Sequence, residues 1–267
     1  MRRTRLDAEL VRRGLARSRE QASALVTSGR VSVGGRLAAK PATAVEPGAP
    51  IVIREERTAP TYASRGGHKL GGALDALDPA GPAIEGRRCL DAGASTGGFT
   101  DVLLRRGAAH VVAVDVGYGQ LAWALRNDPR VRVLDRTNVR ELTPAQVGPP
   151  VQLTVADLSF ISLRLVLPAL RRCATPDADH LLMVKPQFEV GRERLGAGGV
   201  VRDPQLRAAA VLDVAAAAAA HGLGTRGVVA SPLPGPAGNV EYFLWLQAGA
   251  SSADPAAVLR AVAEGPA

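Results

Sequence analysis

Cysteine, lysine and aromatic side chains are all scarce in this chain of 267 residues. Its two cysteines, Cys89 and Cys173, are too few and too far apart for a disulfide framework or a zinc knuckle. No apolar run approaches the ~18 residues that a bilayer crossing needs. The opening MRRTRLDAELVRRG lacks the apolar core of a secretory signal. A cytoplasmic protein without membrane attachment and without a metal is the expectation. Only three of the 33 basic residues are lysine, namely Lys40, Lys69 and Lys185. In a chain that uses arginine so freely, a lysine marks a position where guanidinium fails. An ammonium can surrender its proton once desolvated, and a guanidinium cannot. Lys69 and Lys185 rank first on that ground.

What is present is unevenly spread. Residues 1–45 hold ten basic and three acidic side chains, so +7 of the formal net charge of +8 lies in the first sixth of the chain. A small cationic module ahead of a near-neutral body suits a polyanion such as nucleic acid, where each neutralised phosphate releases counterions. Arg17, Arg19 and Arg30 are its candidate phosphate contacts. The module reads as two short helices, the second capped by Ser18, followed by a hairpin turning at Gly34-Gly35. The expected division is a small α+β module at 1–57, a linker at 58–63, an α/β body at 64–250 and a tail at 251–267.

Along the body, apolar strands alternate with helical patterns. RRCLDAG, AHVVAVDVG, VRVLD, VQLTVAD and HLLMVKP read as strands, with helices in FTDVLLRRG, QLAWALRND, LRLVLPALRRC and PQLRAAAVLDVAAAAAAHG. Two closing strands in GVVASPLPGPAGNVEYFLWLQA are placed to pair antiparallel. This alternation predicts a mostly parallel, Rossmann-like sheet covered on both faces.

The glycine-rich turn DAGASTGG follows the first of these strands. Gly93, Ala94, Ser95, Thr96, Gly97 and Gly98 form a cradle that backbone can bring close to a ligand. Asp115 ends the next strand, where a carboxylate can accept both hydroxyls of a ribose. Asp135, ending the strand after that, is placed to face an adenine. The spacing G-x-x-x-G-G departs from the dinucleotide pattern and needs no pyrophosphate, which favours S-adenosylmethionine over NAD. Ligands of such sheets bind at the carboxyl ends of the strands. Asp157 and Lys185 each end an apolar strand there. Lys69 follows the SRGGH turn, and Glu241 opens the last strand after a glycine-rich turn. Two cations and two anions in one cleft would satisfy each other electrostatically. His68, beside Lys69, is given no chemistry.

The segments RGGHKL, LDAGASTGGFTD, AVDVGYGQLAW, ADLSFISL, MVKPQFEVG and SPLPGPAGNVEYFLWL together resemble the TlyA family, from about residue 3 to 247. The amino-terminal stretch resembles the S-four-like RNA-binding domain of that family. The resemblance implies a class I methyltransferase fold, S-adenosylmethionine as donor and the ribose 2′-hydroxyl of cytidine in ribosomal RNA as acceptor. That acceptor would lie within the large ribosomal subunit, and also in the small one. A Lys-Asp-Lys-Glu tetrad would fall on Lys69, Asp157, Lys185 and Glu241. The chain departs from its relatives at Pro60-Thr61-Tyr62-Ala63, where they carry R-x-W-V, and at Asp135, where they carry glutamate.

Phe160 and Phe188, just after Asp157 and Lys185, are the candidates for stacking on an extruded cytosine. The glycine- and arginine-bearing stretch 191–205 reads as a mobile loop closing on substrate. The competing readings are a dinucleotide-dependent oxidoreductase and an RNA-binding ribosome-assembly factor without catalysis. A membrane-damaging hemolysin would require an amphipathic or apolar segment that the sequence lacks.

Overall fold

The computed structural model describes residues 3–16, 18–27, 29–53 and 61–266, in two compact units, Met1–Thr61 and Tyr62–Ala267. Arg17 and residues 58–60 of the expected linker lie outside the described residues. The first unit comprises β1 (Thr4–Arg5), α1 (Leu6–Arg12), α2 (Arg19–Thr27), β2 (Val31–Val33), β3 (Arg36–Leu37), β4 (Ala44–Val45) and β5 (Ile51–Ile53). Leu6, Leu10, Ala22 and Val26, at helical spacing, bury against Val31 and Val45. Ser18 Oγ accepts the Gln21 N–H at 3.1 Å, as a capping residue should. Gly34 and Gly35 both take positive φ, 57° and 79°, in the two-residue turn joining β2 to β3.

Several arginines of this unit are committed to buried carboxylates. Asp7 and Glu9 are buried rather than solvated. Glu9 pairs with Arg12 at 2.6 Å and Arg13 at 2.7 Å, and Asp7 with Arg5 at 2.9 Å and Arg19 at 3.4 Å. The hydrogen bond from Arg5 holds the Asp7 carboxyl down at about 2. Arg19 therefore offers a phosphate a guanidinium already shared with a carboxylate, and Arg30 is half-buried.

The second unit opens with α3 (Arg65–Leu77). It continues through β6 (Arg88–Ala92), α4 (Gly98–Arg105), β7 (His110–Val114), α5 (Trp123–Arg126), β8 (Val131–Leu134), α6 (Pro144–Val147) and β9 (Val151–Ala156). Then come α7 (Leu167–Arg172), β10 (Ala174–Val184), α8 (Pro186–Glu189), α9 (Pro204–Ala219), β11 (Leu223–Ala230), β12 (Tyr242–Ala248) and α10 (Pro255–Glu264). Seven strands form one sheet in the order β11-β12-β10-β9-β6-β7-β8. The run from β10 to β8 is parallel, and β12 is antiparallel to both its neighbours. Alternate residues of each strand face opposite cores. Leu182 and Val184 join α7, α9 and α10, while Leu181 and Met183 join α3 and α4.

Two elements differ from the sequence reading. SRGGH is not a turn; it runs into α3, and Lys69 lies in the middle of a helix. Its glycines serve packing, because a β-carbon at Gly67 or Gly71 would collide with the Tyr62 side chain laid across them. QLAWALRND yields only the single turn α5. The tail agrees with its pattern, since DPAAVLRAVAEG reads as a short helix and forms α10, capped by Asp254 and burying Val258, Ala261 and Val262 in the main core.

One buried group predicts an acid weakness. His180, 1% exposed in the middle of β10, has no partner on either ring nitrogen. Burial, with a smaller effect of Arg171, pushes its pKa down to about 4. Below its ordinary value near 6.5, the unfolded chain takes up a proton that the folded chain refuses. The His180 contribution to stability therefore falls as pH drops from about 6.5 to about 4, and no further below. Urea unfolding should show His180→Leu losing less stability than wild type over this window, by on the order of 3 kcal/mol at the acid end. Parallel acid limbs would contradict this assignment.

Candidate active site

Strand register brings the site residues to one edge of the sheet. Ala92 of β6 lies beside Ala156 of β9, Ala156 beside Leu182 of β10, and Val184 opposite Tyr242 of β12. The residues that follow these strand ends, Gly93, Asp157 and Lys185, and Glu241 just ahead of β12, thus converge along the carboxyl edge of the parallel strands. Rigid strands hold each of them.

Two cation–anion pairs result. Lys185 Nζ lies 2.6 Å from Asp157 Oδ1, an ion pair angled off hydrogen-bond alignment, and donates to Ser159 Oγ at 2.9 Å. Lys69 Nζ donates to Glu241 Oε2 at 2.5 Å. Lys185 and Lys69 are 8% and 6% exposed, and Glu241 is 1% exposed, so neither amine is in bulk water. No hydrogen bond or ion pair joins one pair directly to the other among the described residues. Each charge is compensated within its pair, which is how buried ions are tolerated.

Asp157 of the first pair lines a cavity of about 420 Å³, within the usual range for small-molecule sites. Gly93, Ser95, Asp115, Val116, Gln120, Asn138 and Val139 line one side, and Asp157 to Ile161 the other. Gly93 has φ +87°, and a β-carbon there would overlap the Asp157 carbonyl oxygen, so the turn and the Asp157 strand end touch through backbone. Gly97, with φ +98°, caps α4. Gly98 is bare because α3 docks against it at Ser64 and Gly67. Ala94 is buried beneath the turn, and Thr96 is exposed with its carbonyl accepting the Ala122 N–H. Asp115 accepts N–H groups of Ser95 at 2.8 Å and Gly117 at 2.7 Å while still facing the cavity. Asp135 takes another place. Its carboxylate is ion-paired to Arg126 at 2.7 Å and is absent from the cavity wall, where Asn138 and Val139 stand instead.

A second, smaller cavity of about 300 Å³ shares Phe160 and Ile161 with the first and adds Phe188 and Gln187. Phe160 is 90% exposed, has φ +65°, and lies 5.3 Å from Phe188 between ring centroids. The stretch 191–205 expected to be mobile is anchored in its second half. Asn239 accepts the Val201 N–H at 2.9 Å and donates to the Gly199 carbonyl at 3.0 Å.

Three residues near the site escape sequence reasoning. Ser159 is one of many serines until the fold aims it at Lys185. Glu189 is buried at the end of α8, where its carboxylate accepts from Ser162 and Leu163. Asp91, fully buried beneath the glycine turn, accepts from Thr100 Oγ1 at 2.6 Å and leaves its other oxygen unpartnered. Burial, opposed by the Thr100 hydrogen bond and reinforced by Asp157, pushes its carboxyl up to about 7. An acid inside the apolar run CLDA is the one advance signal, and it marked Asp91 alone.

Comparison with known proteins extends this picture. Residues 62–248 match the FtsJ-like methyltransferase model, and residues 4–51 match the S4 domain model. The chain is 62% identical over 271 residues, covering 99% of each chain, to the 16S/23S rRNA (cytidine-2′-O)-methyltransferase TlyA of Mycobacterium tuberculosis. It is 33% identical to Hemolysin A of Brachyspira hyodysenteriae, over 90% of this chain and 98% of that one. A solved chain from Streptococcus thermophilus that carries a hemolysin designation superposes with a TM-score of 0.73 at 37% identity, covering 99% of this chain and 96% of its own.

Proposed function

The chain belongs to the FtsJ-like methyltransferase family, among its TlyA members, and on that footing we propose that it methylates the ribose 2′-hydroxyl of cytidine in ribosomal RNA, within ribosomal subunits, using S-adenosylmethionine. The observation that carries the chemistry is the Lys185–Asp157 pair beside the glycine-turn cavity. The cavity's donor set suits the cofactor. Asp115 can accept from a sugar diol, Val116 and Val139 give apolar walls for a purine, and Gly93 and Ser95 leave backbone accessible. When bound, S-adenosylmethionine supplies an electrophilic methyl group on a sulfonium.

A ribose hydroxyl is a weak nucleophile until it is oriented and its proton is removed. Lys185 is the group to take that proton. In the resting pair its ammonium must first come into line with Asp157 Oδ1, 2.6 Å away, and pass it a proton, which leaves the neutral amine a lone pair to accept the hydroxyl proton. Ser159 steadies the amine from another side. Lys69 and Glu241 tie the middle of α3 to the start of β12 and so hold the wall of the cleft. Phe160 and Phe188 offer a stacking surface to an unpaired cytosine. The S4 domain contributes RNA binding, and Arg19 and Arg30 are its candidate contacts within the described residues.

Incubation of the protein with S-adenosylmethionine and unmodified ribosomal subunits, followed by alkaline hydrolysis of the RNA, tests this reading. A methylated 2′-oxygen cannot attack its neighbouring phosphate, so a gap in the ladder at a cytidine is expected. An unbroken ladder for both subunits would contradict the proposal. Phe160→Ala should weaken turnover on RNA about tenfold or more, given ~1–3 kcal/mol for base–aromatic stacking. Because Phe160 is exposed, its melting temperature should stay at the wild-type value. Unchanged turnover would remove Phe160 from the substrate surface.

A further inference from the structure

A ring of contacts closes around the Lys185–Asp157 pair through a residue that the chemistry itself does not use. Asp157 and Ser159 leave β9 and reach Lys185, which ends β10. Four residues after Lys185, at the end of α8, stands Glu189, 4% exposed. Its Oε2 accepts the Ser162 hydroxyl at 2.5 Å and its Oε1 the Leu163 N–H at 2.7 Å. Arg164 pairs with the same carboxylate at 3.3 Å and donates to the Glu189 carbonyl at 3.2 Å. The two segments that carry the reacting pair, 157–162 and 185–189, are therefore pinned at both ends. Lys185 joins them at the near end and Glu189 at the far end.

A buried carboxylate is an expensive way to hold two loops, since removing an ion from water costs several kcal/mol before its partners compensate. Burial pushes the Glu189 carboxyl above the usual range, and its hydrogen bonds only partly oppose that. An apolar contact would pack the same space. What it would lack is direction, because the carboxylate fixes the register of Ser162 and Leu163 relative to α8. We infer that Glu189 is a positioning residue, whose grip on Ser162, Leu163 and Arg164 sets the separation of Lys185 from Asp157 and aligns Phe160 with Phe188.

This inference rests on the methyltransferase reading above, and its test separates the two. Steady-state kcat and KM on ribosomal subunits, with melting temperatures, would be measured for wild type, Glu189→Ala, Glu189→Gln and Ser162→Ala. Glu189→Ala should lower kcat about 10- to 100-fold, the scale of a misplacement near 1 Å, with affinity for S-adenosylmethionine changed by less than about threefold. Glu189→Gln, which can still accept the Leu163 N–H and meet the Ser162 hydroxyl, should recover kcat to within roughly fivefold of wild type. Ser162→Ala removes, from a partly exposed position, the hydroxyl that donates to Glu189 and accepts from the Arg164 N–H and Nε. It should lower kcat roughly tenfold while shifting the melting temperature by no more than about 4 °C, the scale of one lost cap. Wild-type kcat in folded Glu189→Ala, or no rescue by Glu189→Gln, would overturn the inference. Should Glu189→Ala fail to fold, wild-type kcat in Ser162→Ala would overturn it alone. A wild type that leaves ribosomal RNA unmethylated would overturn the underlying reading and this inference with it.

Discussion

Replacing Lys185 with alanine should lower the rate of methyl transfer by about 10²–10⁴-fold, the range lost when a positioned acid–base group is removed. Affinity for S-adenosylmethionine, measured by calorimetry, should stay within a few-fold of wild type, because Lys185 is not part of the cavity wall. Lys185→Arg is the sharper variant. It keeps a cation for Asp157 and Ser159 but cannot release a proton, so it should be nearly as inactive as alanine. Turnover retained in Lys185→Arg would mean that the cation acts only by charge, and the proton would need another acceptor. Turnover retained in Lys185→Ala would mean that methyl transfer does not depend on this amine, whereas RNA binding without turnover in wild type would favour the reading of an assembly factor.

Gly93→Ala should disable the protein at the preceding step. The position has φ +87°, where an added β-carbon costs about 1–2 kcal/mol, and the methyl would overlap the Asp157 carbonyl oxygen. With overpacking adding about 1–3 kcal/mol, the turn must move away from Asp157. A loss near 3 kcal/mol corresponds to roughly hundredfold weaker binding of S-adenosylmethionine. Calorimetry should show that loss in a protein that still folds, since the strained turn is at the edge of the sheet. Binding equal to wild type would show that the cofactor lies elsewhere than this cavity.

The positions that sequence alone made legible share a physical cause. Lys185 and Asp157 end uninterrupted apolar strands, so the chain pattern locates the sheet edge, and the rarity of lysine singles out the amine. The hairpin at Gly34-Gly35 and the antiparallel placement of β11 and β12 follow from local rules of turn chemistry and alternation. What stayed hidden depends on tertiary neighbours. RGGHKL reads as a turn because two adjacent glycines disfavour helix, and only the Tyr62 ring packed on Gly67 explains their presence in α3. Glu189 looks like a solvated helix acid until Ser162 and Leu163 fold onto it. Asp7 and Glu9 look like ordinary first-turn acids, yet they are buried and engage Arg5, Arg12, Arg13 and Arg19, the last a candidate phosphate contact. Asp135 stands where an adenine-facing acid would, but Arg126 takes its carboxylate, and Asn138 and Val139 occupy the wall. In each case a charge or a glycine was visible in the sequence while its partner was not.

The account turns on a sugar oxygen receiving a methyl group under the control of the Lys185–Asp157 pair. Ribosomal subunits treated with methyl-tritiated S-adenosylmethionine and either wild-type protein or Lys185→Ala, then digested to nucleosides, test that statement most directly. The expected result is label co-migrating with 2′-O-methylcytidine for wild type and background counts for the variant. Label on a base-methylated nucleoside, or equal 2′-O-methylcytidine from both proteins, would contradict it.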